Sequence, residues 1–442
     1  MRERHTIFLS VILRWAVLTL AGWLAYALLR ALWAIIYLGA PFYDWIWYLP
    51  VAALIISLPV FITWRLPHTR IAAVIFAGLL ALALVSYNGF GQLVYLQPGR
   101  AAPVPISFWS FSGFYSMPEA VLQDLQAAGG RIHLVAGGTP FEGEHGQTFL
   151  AGIQRLAQYK VEVYLVPVVS NFLSVPVNRE WIANVYSLAA DIQREGLINV
   201  RGLIGDAEPP LSMPMDILGN EQADFYQAVF GLRDLIATVH REYPGLKVGV
   251  TATSAQYLDG FDGDADLSGV MRSPVDPPGG WDYINVMTYS SYFPPAWRAY
   301  YVYWVERAMA RRYPTTQVSH LIGLVGQGMP GEPLLDFDDL VRDARLSRAL
   351  GVHEIAVFQL DGALQVFGDD FVRRLTAAVN GPQYDSTVAV PFSRPVSAMF
   401  YGLAAADALL DARSWRGLLW LAWAVLSGVL VRRLPAANIH KM

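Results

Sequence analysis

Two carboxylates stand two residues apart at the end of an apolar run, Arg201-Gly-Leu-Ile-Gly-Asp206-Ala-Glu208-Pro209-Pro210. In an extended chain residues i and i+2 point to the same side, so Asp206 and Glu208 share a face. Crowded carboxyls repel, which favours keeping one of them protonated near neutral pH. A protonated carboxylic acid is what a general acid must be. The same spacing suits two solvated loop acids capping the next helix, and spacing alone does not separate the two readings. Further along, Trp281-Asp-Tyr-Ile-Asn285-Val-Met287-Thr-Tyr289-Ser290 is an apolar run that ends in a phenol. Tyr289 is there either as a partner for the acids or as a wall residue.

The elements that must position these groups alternate. Short β-branched or aromatic runs predict strands at 104–109, 131–136, 161–169, 200–205, 247–253, 282–288, 319–325 and 354–360. Longer amphipathic runs predict helices near 117–128, 146–159, 179–195, 221–242, 296–312, 336–349 and 367–379. Eight strands with helices between and after them, over roughly 280 residues, predict an α/β fold of the (β/α)8 TIM-barrel kind spanning 103–385. A doubly wound sheet is the alternative, but its phosphate-binding turn is missing. The cluster Gly323, Gly326 and Gly328 has the wrong spacing and reads as a loop. In a barrel, chemistry sits at the C-terminal strand ends, so Asp206, Glu208 and Tyr289 meet at one mouth.

These residues resemble the family 18 glycoside hydrolases, the chitinase-like barrels. That family carries Asp-Gly-x-Asp-x-Asp-x-Glu on its fourth strand and Asn-x-Met-x-Tyr-Asp on its sixth. Gly202, Asp206 and Glu208 match the first, with Arg201 and Ile204 in place of its first two aspartates; Asn285, Met287 and Tyr289 match the second, with Ser290 in place of its aspartate. Leu321-Ile-Gly-Leu-Val-Gly looks like the next strand and Ala356-Val-Phe-Gln359-Leu-Asp361-Gly362 like the last, with Gln359 where the family has tryptophan. The resemblance covers roughly 104–380. It implies substrate-assisted retaining hydrolysis, in which an N-acetyl carbonyl oxygen of the substrate replaces a protein nucleophile. Glu208 would then protonate the leaving oxygen, Asp206 would hold the acetamido N–H, and Tyr289 would bond the acetamido oxygen. Trp109, Asn285, Met287, Tyr292, Gln359 and Asp361 are the expected substrate-binding residues. Ile204 cannot share a proton with Asp206 as the family's aspartate does, and Gln359 offers no sugar-stacking floor.

Ala207-Glu208-Pro209 also resembles the Asn-Glu-Pro acid/base of the larger retaining barrel clan. That clan needs Asn before the Glu and a second Glu on strand seven, whereas Ala207 precedes Glu208 and the nearest later acid, Glu332, lies in a Pro/Gly loop. Trp109, Tyr115, Tyr292, Phe293 and Trp297 follow strands one and six, where they stack on sugar rings, pack loops or touch the membrane surface. The acids Asp259, Asp262, Asp264 and Asp266 lack the glycine and glutamate of a calcium loop and read as a solvated loop. The histidines, among them His133, His145, His240, His320 and His353, show no metal-ligand spacing, so neither a metal nor a cofactor is expected.

Composition fixes the surroundings. The chain of 442 residues is 54% hydrophobic and 15% charged, with 14 Trp and no cysteine. No cysteine excludes a disulfide scaffold and a thiol nucleophile. Residues 103–390 hold 19 basic and 32 acidic residues, a balance that repels nucleic acid. Three apolar stretches, 15–38, 46–64 and 70–87, are each near the roughly 20 residues of a bilayer span, with Trp15, Trp33, Trp45, Trp47 and Trp64 towards their ends. Arg2, Arg4, Arg14, Arg65 and Arg70 put the N-terminus and the 65–70 turn in the cytoplasm by the positive-inside rule. Three transmembrane helices are thus expected in 1–90, a linker at 91–102, and a C-terminal membrane segment at 386–442. The run 417–431 is one span, while 395–411, with Asp407 and Asp411, is either interfacial or a second. The whole reads as a multi-pass cell-membrane protein whose extracytoplasmic barrel cuts an N-acetylhexosamine-containing polysaccharide or peptidoglycan. The alternative is an inactive glycan-binding barrel in an envelope complex. A membrane-protein partner or a lipid-linked substrate fits the additional spans.

Overall fold

The structure, a computed structural model, describes residues 2–37, 93–96, 103–410 and 417–433, outside the short stretches 112, 138–139, 170–172, 211–213, 258–264, 276–279, 313–317, 326–332 and 382–387. The chain forms two compact units, Gln92–Val396 and a unit built from Met1–Gly91 with Ser397–Met442.

The first unit contains the strands β1 (Leu93–Leu96), β2 (Ile106–Ser110), β3 (Arg131–Ala136), β4 (Glu162–Pro167), β5 (Val200–Ala207), β6 (Lys247–Thr253), β7 (Tyr283–Met287), β8 (Val318–Gly323), β9 (Glu354–Phe358) and β10 (Val388–Pro391). Strands β2 to β9 run parallel in sequence order and close into a barrel, with Ile106 of β2 opposite Ile355 of β9. Their limits agree with the predicted strands to within two residues. Helices cover the outer faces, so both sides of each strand are buried and the sequence shows apolar runs rather than strict alternation.

Two glycines reveal which side of β5 faces in. A Cβ on Gly202 would come within 2.7 Å of the Tyr164 ring, whereas one on Gly205 would come within 2.5 Å of Leu173 and 2.9 Å of Trp181 on the helical side. Gly202, Ile204 and Asp206 therefore point inward. The helix Asn178–Arg194 buries Trp181, Val185, Leu188 and Ile192, the single stripe that an amphipathic helix presents to a sheet.

Three features were not foreseen. Asp266, expected in a solvated loop, is buried at the start of a short helix, Asp266–Val270. A short helix, Leu360–Phe367, intervenes between β9 and the helix Phe371–Asn380. Within the stretches expected to be linker and C-terminal segment, β1 pairs antiparallel with β10, Leu93 opposite Pro391.

In the second unit one helix among the described residues is long and apolar enough to cross a membrane, Val11–Ala34, 24 residues with a mean hydropathy of 1.7. A helix of this kind near an N-terminus fits a membrane span and a signal sequence alike. The helix Gly417–Arg433 is apolar but shorter, and that of Arg394–Leu410 buries Asp407. Within this unit Trp15 Nε1 donates to the Ala424 carbonyl at 2.8 Å and the Tyr401 hydroxyl to that of Leu28 at 2.8 Å. The spans expected at 46–64 and 70–87 lie outside the described residues, as do Trp45, Trp47, Trp64, Arg65, Arg70, Gly326, Gly328, Glu332, Asp259, Asp262 and Asp264.

Candidate active site

The barrel interior is filled in layers. The lowest, at the strand N-termini, is ionic. Arg131 pairs with Glu354, lies 3.3 Å from Glu162, and sets its guanidinium 4.8 Å from the centre of the Tyr164 ring. Ser107 Oγ and the Tyr283 hydroxyl donate to Glu354 Oε1 at 2.6 and 2.9 Å. The buried carboxylate thus meets an opposite charge and two donors, as a desolvated charge requires. Burial, partly offset by Arg131, pushes the Tyr164 phenol up to about 12.

Above it lies His133, fully buried and ringed edge-on by Trp109, Tyr164 and Tyr283 at 5.5 to 5.7 Å. Burial, with Arg131 adding to it, holds this imidazole well below its usual range, so it is neutral. Trp109, Val166, Ile204, Met287, Leu321 and Ala356 then form an apolar tier against which Tyr289 and Phe358 pack.

At the C-terminal end of the strands opens a cavity of about 530 Å³. Asp206 and Glu208 line it together with Tyr289, Trp109, Met287 and Tyr292. The fold therefore brings both acids, the phenol and three expected substrate-binding residues to one place. Asp206 is half-buried, with its Oδ1 shut off from solvent and without a hydrogen-bond partner among the described residues. Burial first, and the neighbouring Glu208 second, raise its carboxyl well above the ordinary carboxylate range. The pair therefore tends to hold a proton where two isolated carboxylates would hold none. Ile204, one inward step below Asp206, gives that carboxyl an apolar floor.

Three expected residues lie outside the cavity lining. Asn285 points inward but one step deeper than Met287. It is fully buried, and neither amide atom has a hydrogen-bond partner among the described residues. Asp361 accepts from Ser110 Oγ at 2.6 Å and from the Phe111 backbone N–H at 2.7 Å, which fixes the segment after β2. Gln359 follows the last residue of β9, and the aromatic side chain that β9 presents to the cavity is Phe358. Its ring lies 5.9 Å from Trp109, 5.7 Å from Phe111 and 5.8 Å from Tyr289. A one-residue shift along a strand reverses the face, so the floor expected to be missing at Gln359 is supplied in part by Phe358.

Other lining residues escaped the sequence reading. Thr251 of β6 sits opposite Asp206 in register. Tyr301 donates to or accepts from Ser254 Oγ at 3.0 Å, and burial pushes its phenol up to about 12. The cluster Tyr300, Tyr301 and Tyr303 was visible in the sequence, but nothing in it shows which ring turns inward. Phe293 stacks on Tyr301 at 4.2 Å, whereas Tyr115 packs on Phe114 at 4.0 Å and so serves its loop. Among the described residues no group of three or more His, Asp or Glu is disposed to hold a metal ion.

Fold and site define a parallel (β/α)8 barrel with two neighbouring carboxyls and a phenol at the C-terminal ends of its strands. No protein-family model and no curated protein matches the chain. Similar solved structures include a GH18 chitinase from Pseudoalteromonas aurantia, with 13% identity and a TM-score of 0.44 over 62% of this chain and 99% of that one. The glycoside hydrolase domain of PgaB (BpsB) from Bordetella bronchiseptica aligns with 12% identity and a TM-score of 0.46 over 63% of this chain and 99% of that one. The C-terminal domain of ChiA from Legionella pneumophila aligns with 14% identity and a TM-score of 0.40 over 63% and 99%.

Proposed function

We propose that the barrel is a glycoside hydrolase acting on an N-acetylhexosamine-containing glycan by substrate-assisted retaining hydrolysis. The observation that carries this reading is the convergence of Asp206, Glu208 and Tyr289 on one cavity, with Asp206 driven towards its neutral form beside Glu208. Glu208 gives its carboxyl proton to the glycosidic oxygen as the C1–O bond breaks. The acetamido carbonyl oxygen of the same sugar attacks C1 from the other face and forms a cyclic oxazolinium ion. The resulting Glu208 carboxylate takes a proton from water, whose oxygen opens that ring at C1 with retained configuration. Asp206 orients the acetamido N–H and Tyr289 the acetamido oxygen, so the attacking atom is held near C1. Trp109 and Phe358 supply apolar faces for the sugar ring, and Tyr292 closes the rim. The apolar N-terminal helix and the basic residues around it support a membrane-anchored chain with the barrel outside the cytoplasm.

A second reading is favoured by Ile204 and by Asp206 Oδ1, which has no hydrogen-bond partner among the described residues. With Ile204 below it, Asp206 has no second carboxylate on the inward side to take its proton away from Glu208, which suits a barrel that binds a glycan without cutting it. Full-length protein in detergent, wild type beside Glu208→Gln, decides between them on N-acetylglucosamine oligomers and purified peptidoglycan. Turnover abolished by the substitution, with binding retained, is expected. Binding without turnover in both proteins establishes the recognition module, and neither binding nor turnover refutes both readings.

A further inference from the structure

We infer that the glycan reaches this cavity as the headgroup of a membrane lipid, with the barrel mouth lying against the lipid layer. The inference rests on the glycan-acting reading above and names what carries that glycan.

Large apolar side chains are exposed almost entirely on one end of the barrel unit. Phe111 follows β2, Val168 follows β4, Met215, Ile217 and Leu218 follow β5, and Tyr292 follows β7. Leu334, after β8, and Val366, on the short helix after β9, belong to the same set of segments. Elsewhere in this unit, among the described residues, Ile198 and Phe230 are the exposed large apolar side chains. Scattered apolar residues on a surface need no explanation, whereas a set gathered around one opening marks a contact with something apolar.

The segment after β5 is built to face outward in this way. Asp216 is buried, and its carboxylate accepts from the backbone N–H groups of Asn220 and Glu221 at 2.9 Å each. Its own N–H donates to the Val270 carbonyl at 2.9 Å, and Arg272 bonds Glu221 at 2.8 Å. With that backbone pinned, Met215, Ile217 and Leu218 stand 62%, 63% and 82% exposed. A turn made for water would present the aspartate and tuck in the apolar side chains; this one does the reverse.

Rim and cavity are also continuous, because Phe111, Val168 and Tyr292 are exposed and line the cavity as well. A ligand with a sugar at one end and a hydrocarbon chain at the other matches that gradient. The excess of acidic residues in 103–390 works against attraction to anionic headgroups, so apolar contact is the force the rim offers.

The absence of native cysteine makes the test clean. Full-length Leu218→Cys and Ile198→Cys, both at positions 82% exposed, are labelled with bimane and reconstituted in phosphatidylcholine vesicles containing doxyl-labelled lipid. Quenching at 218 at least threefold stronger than at 198 is expected; equal quenching, or none at 218, overturns the lipid-facing mouth. Met215→Cys repeats the measurement should the first variant misfold. Binding of chitobiose as an octyl and as a methyl glycoside is then compared in wild type and in Met215→Ser/Leu218→Ser. At least tenfold tighter binding of the octyl compound by wild type, reduced in the double variant, is expected. Equal binding of the two glycosides overturns the lipid-carried glycan while leaving the glycan-acting reading intact. Failure of wild type to bind either glycoside refutes that reading itself, and the lipid-carried glycan with it.

Discussion

Replacing Asp206 by asparagine should make the barrel more stable at alkaline pH, although it removes a group placed at the centre of the site. An unfolded aspartate titrates near ~3.9. In the folded protein burial, and secondly Glu208, raise this carboxyl well above that value. A carboxyl whose folded pKa is raised contributes its full stability below the unfolded pKa and loses it as pH rises through the folded pKa. Above that point the wild type must hold a charge in a desolvated place beside a second acid, whereas the amide carries no proton to lose. Between the two pKa values the stability of Asp206→Asn relative to wild type should therefore grow by about 1.4 kcal/mol per pH unit. Any cost of the amide itself is constant with pH and leaves the slope unchanged. Thermal unfolding of full-length protein in detergent, followed by its tryptophan fluorescence from pH 4 to 9, reads the slope directly. Each kcal/mol moves the barrel transition by about 2 °C. Glu208→Gln removes only the second cause and should give a smaller rise. A difference between Asp206→Asn and wild type that does not change with pH, or that turns in favour of wild type as pH rises, would refute the desolvated, coupled carboxyl and the acid chemistry argued from it.

At the opposite end of the barrel, Arg131→Met strands Glu354 without its counter-charge and should cost about 3 kcal/mol in denaturant unfolding. Arg131→Met/Glu354→Gln should recover more than half of that, and a double variant no better than the single one would contradict the pairing. Gly205→Ala drives a Cβ into Leu173 and Trp181 and should lower stability by about 1–3 kcal/mol, visible as a lower melting temperature. Phe358→Leu removes the ring shared with Trp109, Phe111 and Tyr289, a loss of about 0.5–1.5 kcal/mol, and should weaken glycan binding by roughly three- to tenfold in calorimetry. Gln359→Ala should leave binding unchanged, and the opposite order would restore Gln359 to the cavity.

The strands were legible because each is an apolar run of limited length bounded by turn residues, and because parallel strands buried on both faces leave that trace. The two acids were legible as well, since their spacing and strand position fix their face without knowledge of any neighbour. Phe358 and Gln359 were not resolved, because two adjacent residues occupy opposite faces and only the register of β9 against β2 and β8 decides between them. The layer formed by Arg131, Glu162, Tyr283 and Glu354 was illegible for another reason. It joins residues far apart in sequence, and no local pattern in any of those segments announces a partner. β1 and β10 are four residues each, too short to separate from the apolar sequence beside them, and they become strands only by finding one another.

That small ladder has a consequence of its own. Because Leu93 lies opposite Pro391, the chain enters and leaves the barrel unit at adjacent points, as a loop hung from a two-stranded stem. Sequence order at the junction is thus incidental to the barrel: a chain joined from 391 to 93 and reopened in an exposed turn would retain every strand neighbour it has now. The unit therefore has the connectivity of an inserted module, with both its ends at one place.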